Sequence, residues 1–372
     1  MSSQGAMVVS LASFAGAFAL SAALTPIVRR WARGRGFVDR PQGPGSHKLH
    51  REPTPFGGGI AITVAVLLPM AAILAVAVAG RRVDFIASLL AEWMPQWPYW
   101  LGGVAEKLPV ALAIIAGALI LHLLGIIDDH WPLSPPVKFA VQIAVALMLS
   151  VGFEIRAAEA LGPIPATAVT VAWIVVLTNA FNFLDNMDGL AGGVACITAL
   201  VLAACALQVG QVFVPCLLLL VAGAVGGFLL FNFPPATIFM GDAGSLVVGY
   251  LLAVCAILTT FYDPEQQRTP FGVFVPLVVF AVPLYDMGSV VVHRWRLGVS
   301  IFRADRRHFS HRLVRRGMSP TSAVLTIHLA TMATALPAIL LPRLDWPGAT
   351  LVFGQCVCVV ALIAILESQD VS

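Results

Sequence analysis

Residues 108–127 read LPVALAIIAGALILHLLGII and are followed at once by Asp128 and Asp129. A helix needs about 20 predominantly apolar residues to cross roughly 30 Å of hydrocarbon. This stretch has that length, carries one polar side chain, His122, and ends in two carboxylates. It reads as a membrane span with acids at its end. Comparable apolar runs lie near 7–28, 58–79, 137–153, 165–183, 189–208, 212–231, 244–261, 270–293, 319–341 and 348–366, giving eleven expected spans in 372 residues. The composition agrees: 59% of the chain is hydrophobic and 11% charged, where a soluble domain carries about 25% charged residues. An all-α polytopic membrane protein forming one domain over 1–372 is expected, and a disordered, collagen-like or secreted disulfide-framed chain is excluded. The six cysteines sit in apolar runs without ligand spacing and read as small buried hydrophobes. No Lys or Arg precedes the 7–28 run, and Arg29 and Arg30 follow it, so it reads as a retained first helix, not a secretion signal.

Eleven spans put the termini on opposite sides. One assignment gathers sixteen of the 22 Lys and Arg residues in the same set of loops and leaves Arg81, Arg82, Lys107, Arg156, Arg268 and Arg343 on the other face. The positive-inside rule then sets the N-terminus outside and the C-terminus in the cytoplasm. The outer loop at 80–107 carries Trp93, Trp97, Tyr99 and Trp100, which suit the headgroup layer.

On this topology the acids converge on the inner face. Asp128 and Asp129 end the third span, Asp185 and Asp188 leave the fifth in NAFNFLDNMDG (179–189), and Asp242 precedes the eighth in FMGDAGS (239–245). Asn182, Asp185 and Asp188 are three apart and share one broad face if the helix continues, with Asn179 a turn further in. Each acid alone could be a helix cap. Clustered at one depth near Lys138, they describe oxygen ligands for Mg²⁺, with Mn²⁺ as the alternative, and a cation for phosphate. Asp286 stands inside the ninth span, where an ionisable group is costly and usually functional.

FGGG (56–59) and GDAGS (241–245) open helices and offer two readings: bare N–H groups for phosphate, or close helix packing through small residues, the stronger one for the three glycines. The first inner loop holds HKLHREPTP (47–55) and the last holds RADRRHFSHRL (303–313). Their arginines follow the orientation rule and meet lipid headgroups. Without cysteine on this face a zinc site is not expected, and the histidines suit a pyrophosphate or sugar. His122 and His328, inside spans, are expected to be satisfied by neighbouring helices. The inner segments 29–57, 128–137, 184–189, 232–244 and 294–318 are the expected active-site loops.

Taken in order, these motifs resemble the polyprenyl-phosphate N-acetylhexosamine-1-phosphate transferases, and more closely their bacterial undecaprenyl-phosphate branch. The resemblance runs from HKLH (47–50), through DD (128–129) with Lys138, the 179–189 segment, 239–245 and PLYD (283–286), to Asp305–His311. One position departs: the branch has His-x-His-His where this chain has His308-Phe309-Ser310-His311, and Ser310 cannot carry a positive charge. The sugar nucleotide is therefore left open.

The resemblance implies transfer of a sugar 1-phosphate, most simply GlcNAc-1-phosphate, from a UDP-N-acetylhexosamine to undecaprenyl phosphate, releasing UMP. It implies metal ligation by Asp242 with Asn182, and orientation or deprotonation of the acceptor by Asp128 with Asp129 in support. Asp185 and Asp188 would bind uridine or shape the metal site, while Lys48, His50, Lys138, Asn179, Arg306, His308 and His311 would bind substrate. Direct attack and a covalent aspartyl route are both compatible with these assignments. Membrane lipids and a second copy of the chain are the expected partners, and nucleic acid is not. The alternatives are transfer from UDP-MurNAc-pentapeptide and, in a different class, a lipid or ion-coupled transporter, whose acids should lie near the bilayer midplane on broken helices.

Overall fold

The computed structural model describes residues 3–39, 53–82, 88, 97–262, 269–298, 300 and 308–368. The longer helices are α1 (Ser3–Gly34), α2 (Gly58–Arg82), α3 (Trp97–His130), α4 (Pro135–Leu147), α5 (Pro163–Leu184), α6 (Leu190–Gln208), α7 (Phe213–Asn232) and α8 (Asp242–Leu258). There follow α9 (Val275–Val279), α10 (Ala281–Arg296), α11 (Phe309–Arg315), α12 (Pro320–Ala338) and α13 (Trp346–Ser368). Among the described residues the strands are two residues each, β1 (Val38–Asp39) and β2 (Thr54–Pro55), paired antiparallel. Among the described residues nine helices are long and apolar enough to cross a membrane, and the bent pair Pro270–Val279 and Ala281–Arg296 makes a tenth if it counts as one span. With the shorter α8, each of the eleven expected segments has a counterpart, and the chain is an all-α multi-pass membrane protein.

Two boundaries differ from expectation. Helix α3 begins at Trp97, not near 108, because Pro98 suits a first turn and Pro109 is accommodated inside the helix. The single helix expected over 270–293 is instead broken at Phe280 by 58°. Pro283 explains the break: it has no N–H to continue the ladder, and its ring disfavours helical backbone just ahead of it.

Helix α8 is the axis of the fold. Every residue from Ala243 to Ala256 is buried, so α8 is apolar all round and covered all round. It packs on α2, α3 and α5 and also meets α6 and α7. Lipid is as apolar as leucine, so such contacts gain from close packing and not from escape from water. The sequence provides for this with glycine. A Cβ on Gly59 of α2 would lie 2.3 Å from Gly244 N, and one on Gly125 of α3 would lie 2.4 Å from Ala243 Cα. Backbone thus touches backbone at the start of α8. His122 adds a polar tie, with Nδ1 2.9 Å from the Ala243 carbonyl and 3.1 Å from Thr63 Oγ1.

The α2 N-terminus is closed off in the same way. Gly58 N–H donates to Phe239 O and Gly59 N–H to Met240 O, both at 2.9 Å. The phosphate-cradle reading of these glycines is therefore overturned, and the packing reading holds.

Gly125→Ala should be destabilising, since the new methyl meets backbone that cannot step aside, with about 1–3 kcal/mol as the usual cost of overpacking. Gly354→Ala, with nothing within 4 Å of its Cβ, should be neutral or slightly stabilising. Thermal unfolding of the two purified variants in one detergent checks the contrast.

Candidate active site

The ends of α1, α3, α5, α7 and α10 and the starts of α2, α4, α6 and α8 meet at one end of the bundle. The segment from Phe233 to Gly241 joins α7 to α8 there; acids of the α5–α6 turn hold it, and an acid of α3 holds the start of α8. Asp188 Oδ2 accepts from Ala236 N at 2.9 Å, and Asp185 Oδ2 accepts from Gly241 N at 3.1 Å. Asp129 accepts from Asp242 N at 2.8 Å and Ala243 N at 3.2 Å, capping α8 from outside its own sequence. Gly241 has φ 71°, where a side chain is disfavoured, and a Cβ there would meet Asp129 Oδ2 at 2.6 Å. The N–H groups that could have faced a phosphate at α8 are therefore already spent on Asp129. Asn232 completes the frame, accepting from Gly189 N at 3.0 Å and donating to Ile238 O at 2.9 Å. Arg29, at the end of α1, donates to Thr237 Oγ1 at 2.8 Å.

The acids and cation not spent on bracing backbone of the α7–α8 segment form a smaller set. Lys138 Nζ lies 2.6 Å from Asp128 Oδ2 and 3.3 Å from Asp242 Oδ2. Asp128 also accepts from Leu133 N at 2.6 Å, in the turn between α3 and α4. Asn182 Nδ2 donates to Asp242 Oδ1 at 2.8 Å and to Ser245 Oγ at 3.0 Å. The Asp242 side chain keeps 27% of its surface exposed and Lys138 25%, against 8% for Asp128. Asp242 and Lys138 are thus the accessible pair, and Asp128 is the buried partner that steadies the lysine.

Charge in this cluster is unbalanced. Asp185 is held well above the ordinary carboxylate range, first by burial and then by the like charges of Asp242 and Asp129. Five acids share the neighbourhood, and among the described residues Lys138 is the cation paired with them. A further cation would relieve the excess. The donors are all oxygen, which suits a hard divalent ion. Among the described residues no three His, Cys, Asp or Glu groups close on a single point. Asp242 is the exposed carboxylate of the cluster that could hold such an ion.

The structure brings together Asp128, Asp129, Asp185, Asp188, Asn182, Lys138 and Asp242 as expected, but it divides their work. Asp129, Asp185 and Asp188 brace backbone. Asn182 meets Asp242 through its nitrogen, so it orients that carboxylate. Asn179 is corrected: its amide donates to Gln142 Oε1 at 2.5 Å and to Val175 O at 2.8 Å, inside the α4–α5 interface. It ties helices and does not face substrate. His308 and His311 are buried, His308 against the Phe183 ring, one residue beyond Asn182. Lys48, His50 and Arg306 lie outside the described residues. His328 Nε2 meets Leu190 O at 3.3 Å, a helix tie as expected, and all six cysteines are free. Sequence reasoning missed Ser245, Asn232 and Arg29 as braces. Ser245 lay in a quoted motif, while Asn232 and Arg29 carried no signal.

A family model described as glycosyl transferase family 4 matches residues 111–260, a span that contains Asp128, Lys138, Asn182 and Asp242. A Bacillus subtilis protein named "Probable undecaprenyl-phosphate N-acetylglucosaminyl 1-phosphate transferase" is 34% identical over 328 residues, covering 86% of this chain and 81% of that one. The chain belongs to glycosyl transferase family 4. A second member, decaprenyl-phosphate N-acetylglucosaminephosphotransferase of Mycolicibacterium smegmatis, is 33% identical over 352 residues, covering 87% of this chain and 80% of its own. The undecaprenyl-phosphate alpha-N-acetylglucosaminyl 1-phosphate transferase of Escherichia coli K12 is 28% identical over 253 residues, 64% of this chain and 68% of that one. Membership makes the chain an enzyme and removes the transporter alternative. The family match stops before Asp286 and His308.

For an acid raised on folding, the unfolded chain loses its proton first, so stability contributed by Asp185 falls as pH rises through the ordinary carboxylate range towards its folded value. Asp185→Asn keeps an acceptor for Gly241 N–H and removes that loss. In EDTA, the unfolding temperature of Asp185→Asn should gain on wild type as pH rises from 4 to 8. A variant that trails wild type by a constant margin would mean that the charge is not the cost.

Proposed function

We propose that this protein transfers N-acetylglucosamine 1-phosphate from UDP-N-acetylglucosamine to a polyprenyl phosphate, releasing UMP and leaving a polyprenyl-pyrophosphoryl sugar in the membrane. The observation that carries the reading is the Asp128–Lys138–Asp242 cluster at one end of the bundle, in a chain whose relatives are named for this reaction. Those relatives are named for undecaprenyl and for decaprenyl phosphate, so undecaprenyl phosphate is the first acceptor to try. The site end faces the cytoplasm of a bacterial inner membrane, where the basic loops and the donor nucleotide would both be found. There the lipid's phosphate, tethered by its tail, can meet a soluble donor.

Phosphoryl transfer demands position and charge stabilisation more than covalent help. Mg²⁺ would be held by Asp242, whose carboxylate Asn182 orients, and would supply charge neutralisation at the donor pyrophosphate. Lys138 holds a phosphate oxygen, and Asp128 fixes the lysine by its short ion pair. The acceptor phosphate, with a second pKa of about 6, is already largely ionised at pH 7, so Asp128 serves it by orientation more than by removing a proton. Asp129, Asp185 and Asp188 keep the α7–α8 segment in place so that Asp242 stays beside Lys138 and Asp128. Lys48, His50, Arg306, His308 and His311 complete the donor site.

Purified protein in detergent or nanodiscs, supplied with undecaprenyl phosphate and Mg²⁺, should release UMP from UDP-GlcNAc faster than from UDP-GalNAc or UDP-MurNAc-pentapeptide. A preference for the last would favour the peptidoglycan alternative. Asp242→Asn should abolish divalent-dependent release while the protein stays folded, and full activity in that variant would remove the metal assignment. Asp128→Asn should lower turnover by at least about a hundredfold, the scale of one lost electrostatic contact in a transition state, with little change in donor KM.

A further inference from the structure

Asp286 lies within α10 and is 1% exposed. A carboxylate inside a span needs partners, and both its oxygens find them on the same two residues. Oδ1 accepts from Phe309 N at 2.8 Å, and Oδ2 lies 3.1 Å from His308 Nδ1. His308 is itself 7% exposed. Its ring stands edge-on to Phe183, centroids 5.6 Å apart at 89°, and the Arg294 guanidinium lies 5.5 Å from the centroid of the same Phe183 ring. Ser310 Oγ donates to Asn186 Oδ1 at 2.6 Å, joining the histidine segment to the segment that follows α5. The ring of His308 thus packs on Phe183, the residue after Asn182 in α5, and its Nδ1 faces the Asp286 carboxylate.

The geometry points to Asp286 as the positioning residue that fixes the tautomer and orientation of His308, and so leaves Nε2 as the acceptor that His308 offers to an O–H or N–H of the donor's sugar. The inference rests on the reading above that His308 binds the donor. An ionised carboxylate only accepts, so Nδ1 must carry the hydrogen. Nε2 is then the nitrogen left for a ligand, by the same logic by which a carboxylate or carbonyl orients a metal-bound or catalytic histidine. A purely structural Asp286 would make the same bond to Phe309 N–H and start α11 in the same place. Asparagine separates the two roles. Its Oδ1 still accepts from Phe309, but its Nδ2 presents a hydrogen to Nδ1 and favours the opposite tautomer.

Histidine-labelled full-length protein in nanodiscs should show His308 as the Nδ1–H tautomer in its ¹⁵N spectrum, the resonance being identified by its loss in His308→Gln. Asp286→Asn should convert it to Nε2–H. In the UMP-release assay, Asp286→Asn and His308→Gln should each lower kcat/KM for UDP-GlcNAc by at least tenfold. The double variant should be no worse than the poorer single, because both changes remove one function. Losses that multiply in the double variant, or an Nε2–H His308 in the wild-type protein, would overturn the inference, and the wild-type spectrum decides even if Asp286→Asn does not fold. Absence of turnover in wild-type protein with any UDP-sugar would instead strike the reaction proposed above, leaving the spectrum to judge Asp286 and His308 alone.

Discussion

The start of α8 is capped by a carboxylate from a different helix, and the site is arranged around that bond. Asp129 takes two backbone N–H groups that α8 cannot satisfy itself. In lipid surroundings such groups have no water to turn to, so a missing acceptor costs more here than on a soluble surface. The same bond fixes where α3 meets α8, and so fixes the spacing between Asp128 and Asp242, one residue away on each side. Gly59 and Gly125 let the helices come near enough for it to form.

Acids at this end serve two opposed needs. Backbone that is irregular at membrane depth must be hydrogen-bonded, which favours carboxylates as acceptors, while several carboxylates in a small volume repel one another. Lys138 relieves part of the repulsion by bridging Asp128 and Asp242. Asp185, raised by burial and by its neighbours, is the acid that most resists ionisation among them. Removing one member of such a network leaves its partners unbalanced, so the effects of single changes here should not add.

Helix number and class were legible in the sequence because a span is set by length and apolarity, quantities that need no partner. The acids' convergence was legible for the same reason: once parity is known, the end of each helix is assigned. What each acid does was not. Asp129, Asp185 and Asp188 look identical to Asp128 and Asp242 in a string of letters, and only the positions of Ala236, Gly241 and Asp242 N–H separate a brace from a ligand. Asn179 was misassigned because its polarity marked it as part of the site, whereas its partner Gln142 lies 37 residues away on α4. The break at Phe280 was hidden because Pro283 sits in an apolar run whose composition continues unbroken.

The small strand pair near the first inner loop has a mechanical consequence. Val38 pairs with Pro55 and Asp39 with Thr54, so the chain departs and returns through a single gate. Pro55 then accepts the Phe239 N–H at 2.9 Å, while Gly58 and Gly59 grip the Phe239 and Met240 carbonyls. The strand pair and the start of α2 are thereby tied to a segment that ends two residues before Asp242, so the root of the first inner loop and the site share one backbone frame.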